Sequence, residues 1–426
     1  MGLLAQIYEF RHRIMSVGFP ALVSRGSMVI WGFVTIFIIR VLPEEAYAIY
    51  AVARSLEMFG ILLGGGFIHQ AIMKMSAEGD TDREKRLANA GILMALIFAG
   101  FSAVLITAGG GLLQSFYGSM DLSGIPLLLA GVVVSNTISG LPRSLLISKH
   151  LTRQVMYSDL LQFIVKSGII GVLLLAGTLR TAHQIFIAAI IANTLAFLMS
   201  SWLAGGLFFP ALGVRLNGIG EVMKYAIITL GTSLANFIYS RTDILMLGKI
   251  APDDVAAYGA SRSLSGMILV VVSAANMVLL PLVSKMWSQG RRDEILPRVW
   301  STVLLAEVLM APVILLYVIF PRQLMDLIYS GKYNDGWPIM LVLGALAVVR
   351  PLGSFFSTAS AAMGKPQYSL YSVVISSIFN IGMNFVLIPR MGGFGASLAT
   401  AAAVVFGTIW VMWATSRYIE RERHPS

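Results

Sequence analysis

Long apolar stretches alternate with short polar connections along nearly the whole chain. Each stretch approaches the ~20 residues that an α-helix needs to cross the hydrocarbon core of a bilayer. The pattern therefore predicts an all-α integral membrane protein with twelve transmembrane helices. Their predicted ranges are 16–39, 46–72, 87–108, 124–147, 156–177, 183–209, 221–248, 255–280, 299–320, 337–362, 367–388 and 394–415.

The composition supports a membrane protein and excludes several other classes. Hydrophobic residues make up 57% of the 426-residue chain and charged residues only 12%, whereas soluble proteins carry about 25% charged residues. The chain has no cysteine, which excludes disulfides and thiolate metal sites. Residues 1–13 lack the pattern of a cleavable signal peptide. No polar segment is long enough for a soluble catalytic domain.

The net charge of +10 is better explained by the connections between helices than by nucleic-acid binding. If the N-terminus is cytoplasmic, most Lys and Arg residues of the connections fall on the cytoplasmic side. The positive-inside rule therefore predicts that both termini of this multi-pass protein are cytoplasmic.

An internal repeat organises the chain. Residues 41–56, VLPEEAYAIYAVARSL, return with one gap as residues 250–264, IAPDDVAAYGASRSL. In both copies a proline is followed by two acidic residues, and a tyrosine stands four residues before Arg-Ser-Leu. Tyr50 and Arg54 thus correspond to Tyr258 and Arg262.

A second match extends the repeat to whole halves, because Tyr157-Ser158 returns 211 residues later as Tyr368-Ser369. Six helices per half give both copies the same orientation, as in transporters built from parallel repeats. We predict an N-terminal lobe at residues 1–210, a cytoplasmic linker at 211–220 and a C-terminal lobe at 221–426. In the glycine cluster Gly64-Gly65-Gly66, close helix packing is favoured over a bend.

Motifs of cofactor and catalytic sites are missing from the sequence. The glycine-rich runs lack the flanking residues of a nucleotide-binding loop, and the five histidines show no metal-ligand spacing. No catalytic triad or carboxylate pair is suggested. We therefore expect a transporter without a cofactor or metal, and not an enzyme.

Charged residues inside membrane spans are costly and usually face a polar cavity, so each is a functional candidate. The acidic candidates are Glu57, Asp243 and Glu307. The more numerous cationic candidates are Arg25, Arg54, Lys166, Arg241, Arg262 and Arg350. This excess predicts a cavity for an anion, because arginine offers a fork of donors that fits phosphate. The candidates for stacking on sugar rings are Trp31, Tyr239 and Tyr258, with interfacial anchoring as the alternative.

The two arginines of the repeat differ in their surroundings along the sequence. Glu57 lies three residues after Arg54 on the same helical face and can neutralise it. Arg262 has no acidic residue within one turn, so we expect it to be the better ligand for phosphate, with snorkelling to the surface as the alternative.

The remaining charged candidates require partners from elsewhere in the chain. Arg241 and Asp243 are two residues apart and do not face each other. Lys166 and Arg350 bind substrate in one interpretation and bridge to Glu307 or to backbone carbonyls in the other. Asn380 and Asn384 share a helical face and are expected to form hydrogen bonds between helices.

Four local patterns make the chain resemble the polysaccharide-transporter branch of the multidrug/oligosaccharidyl-lipid/polysaccharide (MOP) exporter superfamily, which includes Wzx-type flippases. They are FIIRVLPEEAYAIYAVARS at 37–55, YSRTDILMLGKIAPDDVAAYGASRSL at 239–264, LLPLVSK at 279–285 and FNIGMNFVLIPRMGGFGASLATA at 379–401. The resemblance spans nearly the whole chain, but it does not specify the glycan.

The resemblance implies two pseudo-symmetric six-helix lobes around a central cavity that opens to each side by alternating access. It implies a flippase that moves an undecaprenyl-diphosphate-linked oligosaccharide, an O-antigen or exopolysaccharide repeat unit, from the cytoplasmic to the periplasmic leaflet of a bacterial inner membrane. Cavity arginines of such proteins engage the diphosphate, and Arg25, Arg54, Arg241 and Arg262 lie on the corresponding helices. We expect a monomer, with a glycan polymerase or glycosyltransferases as partners.

Other functions remain open from the sequence. A cation-coupled exporter of small molecules belongs to the same superfamily, but that branch depends on acidic cavity residues, notably in the first helix. This helix has Arg25 and no acid. A membrane scaffold for glycan assembly is the third candidate. An ion gradient acting through Asp243, Glu307 or Glu57 would drive transport, or downstream consumption of the glycan would.

Overall fold

The structure is a computed structural model of the full chain, and it describes residues 19–76, 81–211 and 218–423. A few side chains within these ranges, that of Arg25 among them, lie outside the described set. Over the described ranges the regular structure is entirely helical. The predicted all-α class is therefore confirmed.

Contacts divide the chain into two compact units, Met1–Leu234 (unit 1) and Ala235–Ser426 (unit 2). Unit 1 contains α1 (Phe19–Val41), α2 (Glu44–Ile61), α3 (Ile68–Met75), α4 (Thr81–Ala108), α5 (Gly110–Phe116), α6 (Ile125–Ser148), α7 (Thr152–Leu175), α8 (Ala182–Leu203), α9 (Gly205–Ala211) and the first half of α10 (Ile219–Ile250). Unit 2 contains the rest of α10, α11 (Val255–Gly266), α12 (Leu269–Ser288), α13 (Arg292–Ile319), α14 (Pro321–Tyr329), α15 (Trp337–Ala345), α16 (Arg350–Ala362) and α17 (Pro366–Arg423).

The division falls inside α10 because the first half of this helix is part of the core of unit 1. Val222 and Ala226 are buried there with residues of α3, α4 and α6. Thr229 donates a hydrogen bond to the carbonyl oxygen of Phe67 at 3.0 Å. The linker predicted at 211–220 stays a prediction, because residues 212–217 lie outside the described ranges.

The predicted spans correspond to observed helices or helix pairs. In the described part of the chain, nine helical segments are long and apolar enough to cross a membrane, and Pro366–Arg423 covers the last two predicted spans. Leu304, Leu305, Val308 and Leu309 on one face of α13 are 60–67% exposed. An exposed apolar face of this kind suits contact with lipid.

The second predicted helix is bent at its glycine cluster. A wider helical turn at Leu62–Gly66 separates α2 from α3, and Gly65 has a positive φ of 100°. A Cβ atom at Gly64 would lie 2.7 Å from Val133 of α6. The cluster therefore serves close packing, as expected, and also the bend that was the less favoured interpretation.

Helix α17 is bent at Gly392, where the backbone takes φ 54° and ψ −133°. The carboxylate of Asp254, in the second copy of the repeat, accepts a hydrogen bond from the Gly393 N–H at 2.8 Å. A Cβ atom at Gly392 would lie 1.8 Å from that carboxylate oxygen. Asp254 of the repeated acidic pair thus contacts the MGGFG pattern directly.

Candidate functional site

A pocket of about 390 Å³ lies within unit 1 and is called the unit-1 pocket. It is enclosed by α1, α2, α3, α6, α7 and α8. Its charged lining consists of three basic residues and two acidic residues, with His69 also present. The polar and charged lining residues are Ser27, Arg54, Glu57, His69, Asn136, Ser139, Arg143, Asp159, Gln162, Lys166 and Asn193, beside the ring of Trp31.

Arg54 and Glu57 form an ion pair on α2, as their spacing predicted. The Glu57 side chain is only 3% exposed, whereas that of Arg54 is 35% exposed. The carboxylate therefore relies on Arg54 for charge compensation, while the guanidinium keeps part of its surface open to the pocket.

A second ion pair in this pocket was not predicted. Arg143 of α6 donates two hydrogen bonds to the Asp159 carboxylate of α7, at 2.7 and 2.9 Å, and the Ser24 hydroxyl also donates to it. Arg143 and Asp159 each lie one and a half to two helical turns, roughly, from the short connection between α6 and α7. That similar distance in consecutive helices was the available sequence signal.

Lys166 contacts a partner that was not among those expected from the sequence, which were substrate, Glu307 and backbone carbonyls. Its ammonium group lies 3.9 Å from the centre of the Trp31 ring, a cation–π contact between α7 and α1. Trp31 and Lys166 both line the unit-1 pocket, and the lysine covers the ring that was a candidate for sugar stacking. The Arg25 side chain on α1 lies outside the described set.

A second pocket, of about 500 Å³, lies within unit 2 and is called the unit-2 pocket. It is enclosed by α10, α11, α12, α16 and α17. Two arginines face it, and its lining residues include no acid. Its polar lining residues are Tyr239, Arg262, Ser273, Arg350, Ser354, Ser357, Ser372, Ser376, Thr400 and Thr408.

Behind the Arg262 side chain lies the carboxylate of Asp243, which is 1% exposed. It accepts hydrogen bonds from Tyr258 at 2.6 Å, Thr400 at 2.8 Å, Asn384 at 2.8 Å and Arg262 at 3.2 Å. Four donors, one of them cationic, compensate this buried charge. The expectations that Asp243 needs partners on other helices and that Asn384 bonds between helices are confirmed.

Two expectations for this region are wrong. Arg262 does have an acidic partner, because α10 and α11 are consecutive helices that bring Asp243 beside it although 19 residues separate them. Tyr258 is fully buried and absent from the pocket lining, so it cannot stack on a sugar. Its hydroxyl instead positions Asp243. Tyr239 does line the unit-2 pocket.

Arg350 is the first residue of α16, and its side chain lines the unit-2 pocket. Among the described residues, no carboxylate lies within ion-pair distance of it, in contrast to Arg54 and Arg262. The bridge to Glu307, which was the alternative to substrate binding, is not formed among the described side chains. Glu307 keeps one carboxylate oxygen that is buried without a hydrogen-bond partner among the described atoms. Arg241 lies half-buried on α10 and lines neither pocket.

These groups suit the binding of an anion better than catalysis. Guanidinium groups, hydroxyls and amides bind anions and sugars without changing covalent bonds. In the part of the chain that the structure describes, no cluster of three His, Asp or Glu residues has the spacing to hold a metal ion.

Comparison with family models gives a match over residues 36–338, well over half of the chain, to the family described as polysaccharide biosynthesis protein. The succinoglycan biosynthesis transport protein ExoT of Rhizobium meliloti is 23% identical, over 80% of this chain and 67% of its own length. The probable flippase AglR of Haloferax volcanii is 21% identical, over 91% of this chain and 80% of its own length.

Two further matches are partial. The chain spans only 39% of the length of a probable low-salt glycan biosynthesis flippase from Haloferax volcanii, at 20% identity. It spans 29% of an uncharacterized membrane protein from Methanocaldococcus jannaschii, at 24% identity.

Solved structures share the fold of the chain. An inward-facing multidrug resistance MATE family transporter of the MOP superfamily superposes with a TM-score of 0.73, at 14% identity, over 94% of this chain and 96% of its own. The lipid II flippase MurJ, in an inward closed conformation, superposes with a TM-score of 0.75, at 12% identity, over 95% of this chain and 89% of its own. The predicted twelve-helix transporter fold is therefore confirmed, and at these identities the likeness concerns the fold alone.

Proposed function

The chain belongs to the polysaccharide biosynthesis protein family, and from this premise we propose that it flips a lipid-linked oligosaccharide across its membrane. The family confirms the expected polysaccharide-transporter branch of the MOP superfamily. The observation that carries the proposal is the family match over residues 36–338, together with relatives named as flippases or as a glycan transport protein.

The proposed substrate is an undecaprenyl-diphosphate-linked repeat unit of an O-antigen or exopolysaccharide. The proposed direction is from the cytoplasmic to the periplasmic leaflet of a bacterial inner membrane, by alternating access of the two lobes. The substrate itself drives such a change only through different affinities for the two states. The proposed partners are the glycosyltransferases that supply the unit and the polymerase that consumes it, and the proposed active form is a monomer.

The charge of the two pockets supports an anionic substrate. In the unit-1 pocket, three basic side chains face two carboxylates. In the unit-2 pocket, two arginines face no acidic residue among the described lining, and the buried Asp243 behind it forms an ion pair with Arg262. We assign diphosphate binding to Arg25, Arg54 and Arg262, and contacts with the attached sugars to Lys166, Arg350 and Tyr239. Arg241, which lines neither pocket, stays a candidate from the sequence alone.

Ion coupling is best assigned to Glu307. Glu57 and Asp243 are already compensated by Arg54 and Arg262. Glu307 has no ion pair among the described residues and keeps a buried oxygen without a partner. We expect that Glu307→Gln abolishes the response of transport to an imposed proton gradient and leaves transport without a gradient intact.

A reconstitution assay tests the proposed function directly. The purified protein is placed in liposomes that carry a fluorescent undecaprenyl-diphosphate oligosaccharide, and the label left accessible to an impermeant quencher is measured. We expect the protein to move label between leaflets and Arg262→Gln to reduce the rate at least about tenfold, the scale of one lost charge-assisted contact. Arg322→Gln, on the exposed part of α14, is the matched control. Label that stays in its original leaflet would favour a scaffold.

A small-cation exporter is the second candidate, because the fold is equally that of a multidrug resistance transporter. It predicts that Asp243→Asn or Glu307→Gln abolishes efflux of a cationic dye from cells, while arginine substitutions do not. Loss of dye efflux in the acidic variants, with no movement of lipid-linked sugar by the wild type, would replace the flippase proposal.

A further inference from the structure

The unit-2 pocket has a net positive charge, because two arginines line it and only one of them has an acidic partner among the described residues. Arg262 and Arg350 line it, and among the described residues Asp243 lies within ion-pair distance of Arg262 but not of Arg350. Arg350 also occupies the first position of α16, where the positive end of the helix dipole disfavours a cation. An anion in the pocket would relieve both effects at Arg350.

The hydroxyl groups of the pocket are arranged to accept hydrogen bonds. Ser372 donates its proton to the Gly407 carbonyl at 2.8 Å, and Ser376 donates to the Ala403 carbonyl at 3.0 Å. A hydroxyl has one proton and two lone pairs, so each oxygen still accepts a bond from a ligand. The hydroxyls of a sugar can donate such bonds and present several of them at once.

Glycines let the helices around these hydroxyls pack closely, while Ser372 and Ser376 still line the pocket. A Cβ atom at Gly407 would lie 1.9 Å from the Ser376 oxygen, and a Cβ atom at Gly353 would lie 2.6 Å from the Thr408 oxygen. The Tyr239 side chain forms part of the wall. At about 500 Å³, the pocket falls within the ~300–1,000 Å³ of ligand-sized sites.

We propose that the unit-2 pocket binds an acidic sugar residue, with its carboxylate on Arg350 and its ring hydroxyls on Ser372 and Ser376. The surplus of one positive charge matches a carboxylate better than a phosphate monoester, which carries about −1.5 to −2 charges at neutral pH. The assignment of this sugar to the transported glycan rests on the proposed function, whereas the site itself does not.

Binding of glucuronate to the purified full-length protein tests the site, and saturation-transfer NMR suits the weak affinity expected for a single sugar. The wild type is compared with Arg350→Gln and with the control Arg322→Gln. We expect the dissociation constant for glucuronate to rise at least about tenfold in Arg350→Gln, because a charge-assisted bond is lost. Arg322→Gln should bind as the wild type does. Equal binding by all three proteins would overturn the proposal.

Ligand variants keep the test independent of protein stability. With the wild type alone, the methyl ester of glucuronic acid and glucose should each bind at least about tenfold more weakly than glucuronate. If the methyl ester binds as tightly as glucuronate, the carboxylate charge does not contribute to binding. Tighter binding of glycerol 1-phosphate than of glucuronate would point to a lipid headgroup and overturn the sugar assignment.

The two proposals fail in distinguishable ways. If the protein moves lipid-linked sugars in liposomes but shows no preference for glucuronate in the binding assay, the proposed flippase function is supported and this subsite is rejected. Binding of glucuronate that depends on Arg350, in a protein that moves no lipid-linked sugar, would keep the subsite and reject the flippase.

Discussion

The two members of the Arg54–Glu57 pair are buried to different degrees. Glu57 is 3% exposed and Arg54 35% exposed. Removal of one partner from a buried pair leaves the other charge uncompensated, and the cost depends on how well water reaches that charge. Removal of Arg54 and removal of Glu57 should therefore have different energetic costs, although each removes one unit charge.

We predict that Arg54→Gln destabilises the protein more than Glu57→Gln. The first change leaves a buried carboxylate, at a cost of about 1–3 kcal/mol or more, whereas the second leaves a guanidinium that water partly solvates. Thermal unfolding of each variant in detergent measures the difference. The double variant should be less destabilised than the sum of the two, and an equal loss in both single variants would contradict the asymmetry.

The carboxylate of Asp243 accepts hydrogen bonds from four donors. Removal of this carboxylate should therefore destabilise the protein more than removal of any one donor. Asp243→Asn removes the charge that compensates Arg262 and one set of acceptor positions, and we expect a loss of about 1–3 kcal/mol. Tyr258→Phe removes a single hydrogen bond, worth about 0.5–1.5 kcal/mol. Unfolding midpoints of the two variants test the order, and a larger effect of Tyr258→Phe, which keeps the ring and removes only the hydroxyl, would contradict it.

The sequence identified both partners of a contact within one helix, but it did not identify which residues pair between helices. The spacing of Arg54 and Glu57 was enough to predict their pair, because three residues place both on one face. The pair of Arg262 and Asp243 depends on the rotation of α11 against α10. Spacing along the sequence does not determine that rotation.

At the level of the helices, bends at Gly65 and Gly392 change the direction of the chain. The positive φ of Gly392 and the approach of Asp254 leave no room for a side chain at the bend of α17. The sequence predicted separate helices on either side of this position, and the non-helical backbone of Gly392 confirms a break between them. The bend at Gly65 was the less favoured interpretation, because glycine clusters serve packing and bending alike.

We predict that Gly392→Ala destabilises the protein by about 1–3 kcal/mol, the cost of one strained backbone position, and by more if Asp254 cannot move aside. Gly382→Ala on the same helix is the matched control, because a Cβ atom there meets nothing within 4 Å. It should leave stability unchanged or slightly raised. Equal melting temperatures of the two variants would contradict the steric argument.

The acidic pair of the second repeat copy allows a similar comparison. Asp254 accepts the hydrogen bond of the Gly393 N–H, whereas Asp253 is exposed and has no hydrogen bond among the described residues. We expect Asp254→Ala to cost about 1 kcal/mol, as for a lost cap, and Asp253→Ala to be near neutral. Hydrogen exchange at residues 390–396 measures the local effect, which should appear in the first variant and be absent from the second.

For the whole molecule, the repeat and the apolar pattern predicted an all-helical protein, which is confirmed, and two similar halves, which stay a prediction. They were not sufficient to place the division between compact units, which falls within α10. The reason is physical: a boundary in the sequence marks where a connection is polar, whereas a boundary in the fold depends on which core a helix face packs against. Val222 and Ala226 pack into the core of unit 1 although they follow the predicted linker.

The orientation of the chain in the membrane is predicted from the positions of Lys and Arg residues. Single cysteines test it without background labelling, because the sequence contains no cysteine. Ser123 lies in a predicted periplasmic connection and Ser288 at a predicted cytoplasmic helix end, and both are exposed. In intact cells an impermeant maleimide should label Ser123→Cys and not Ser288→Cys, and both should react after permeabilisation. The opposite pattern would invert both the topology and the direction of transport proposed here, since the leaflet from which substrate enters is defined by the same orientation.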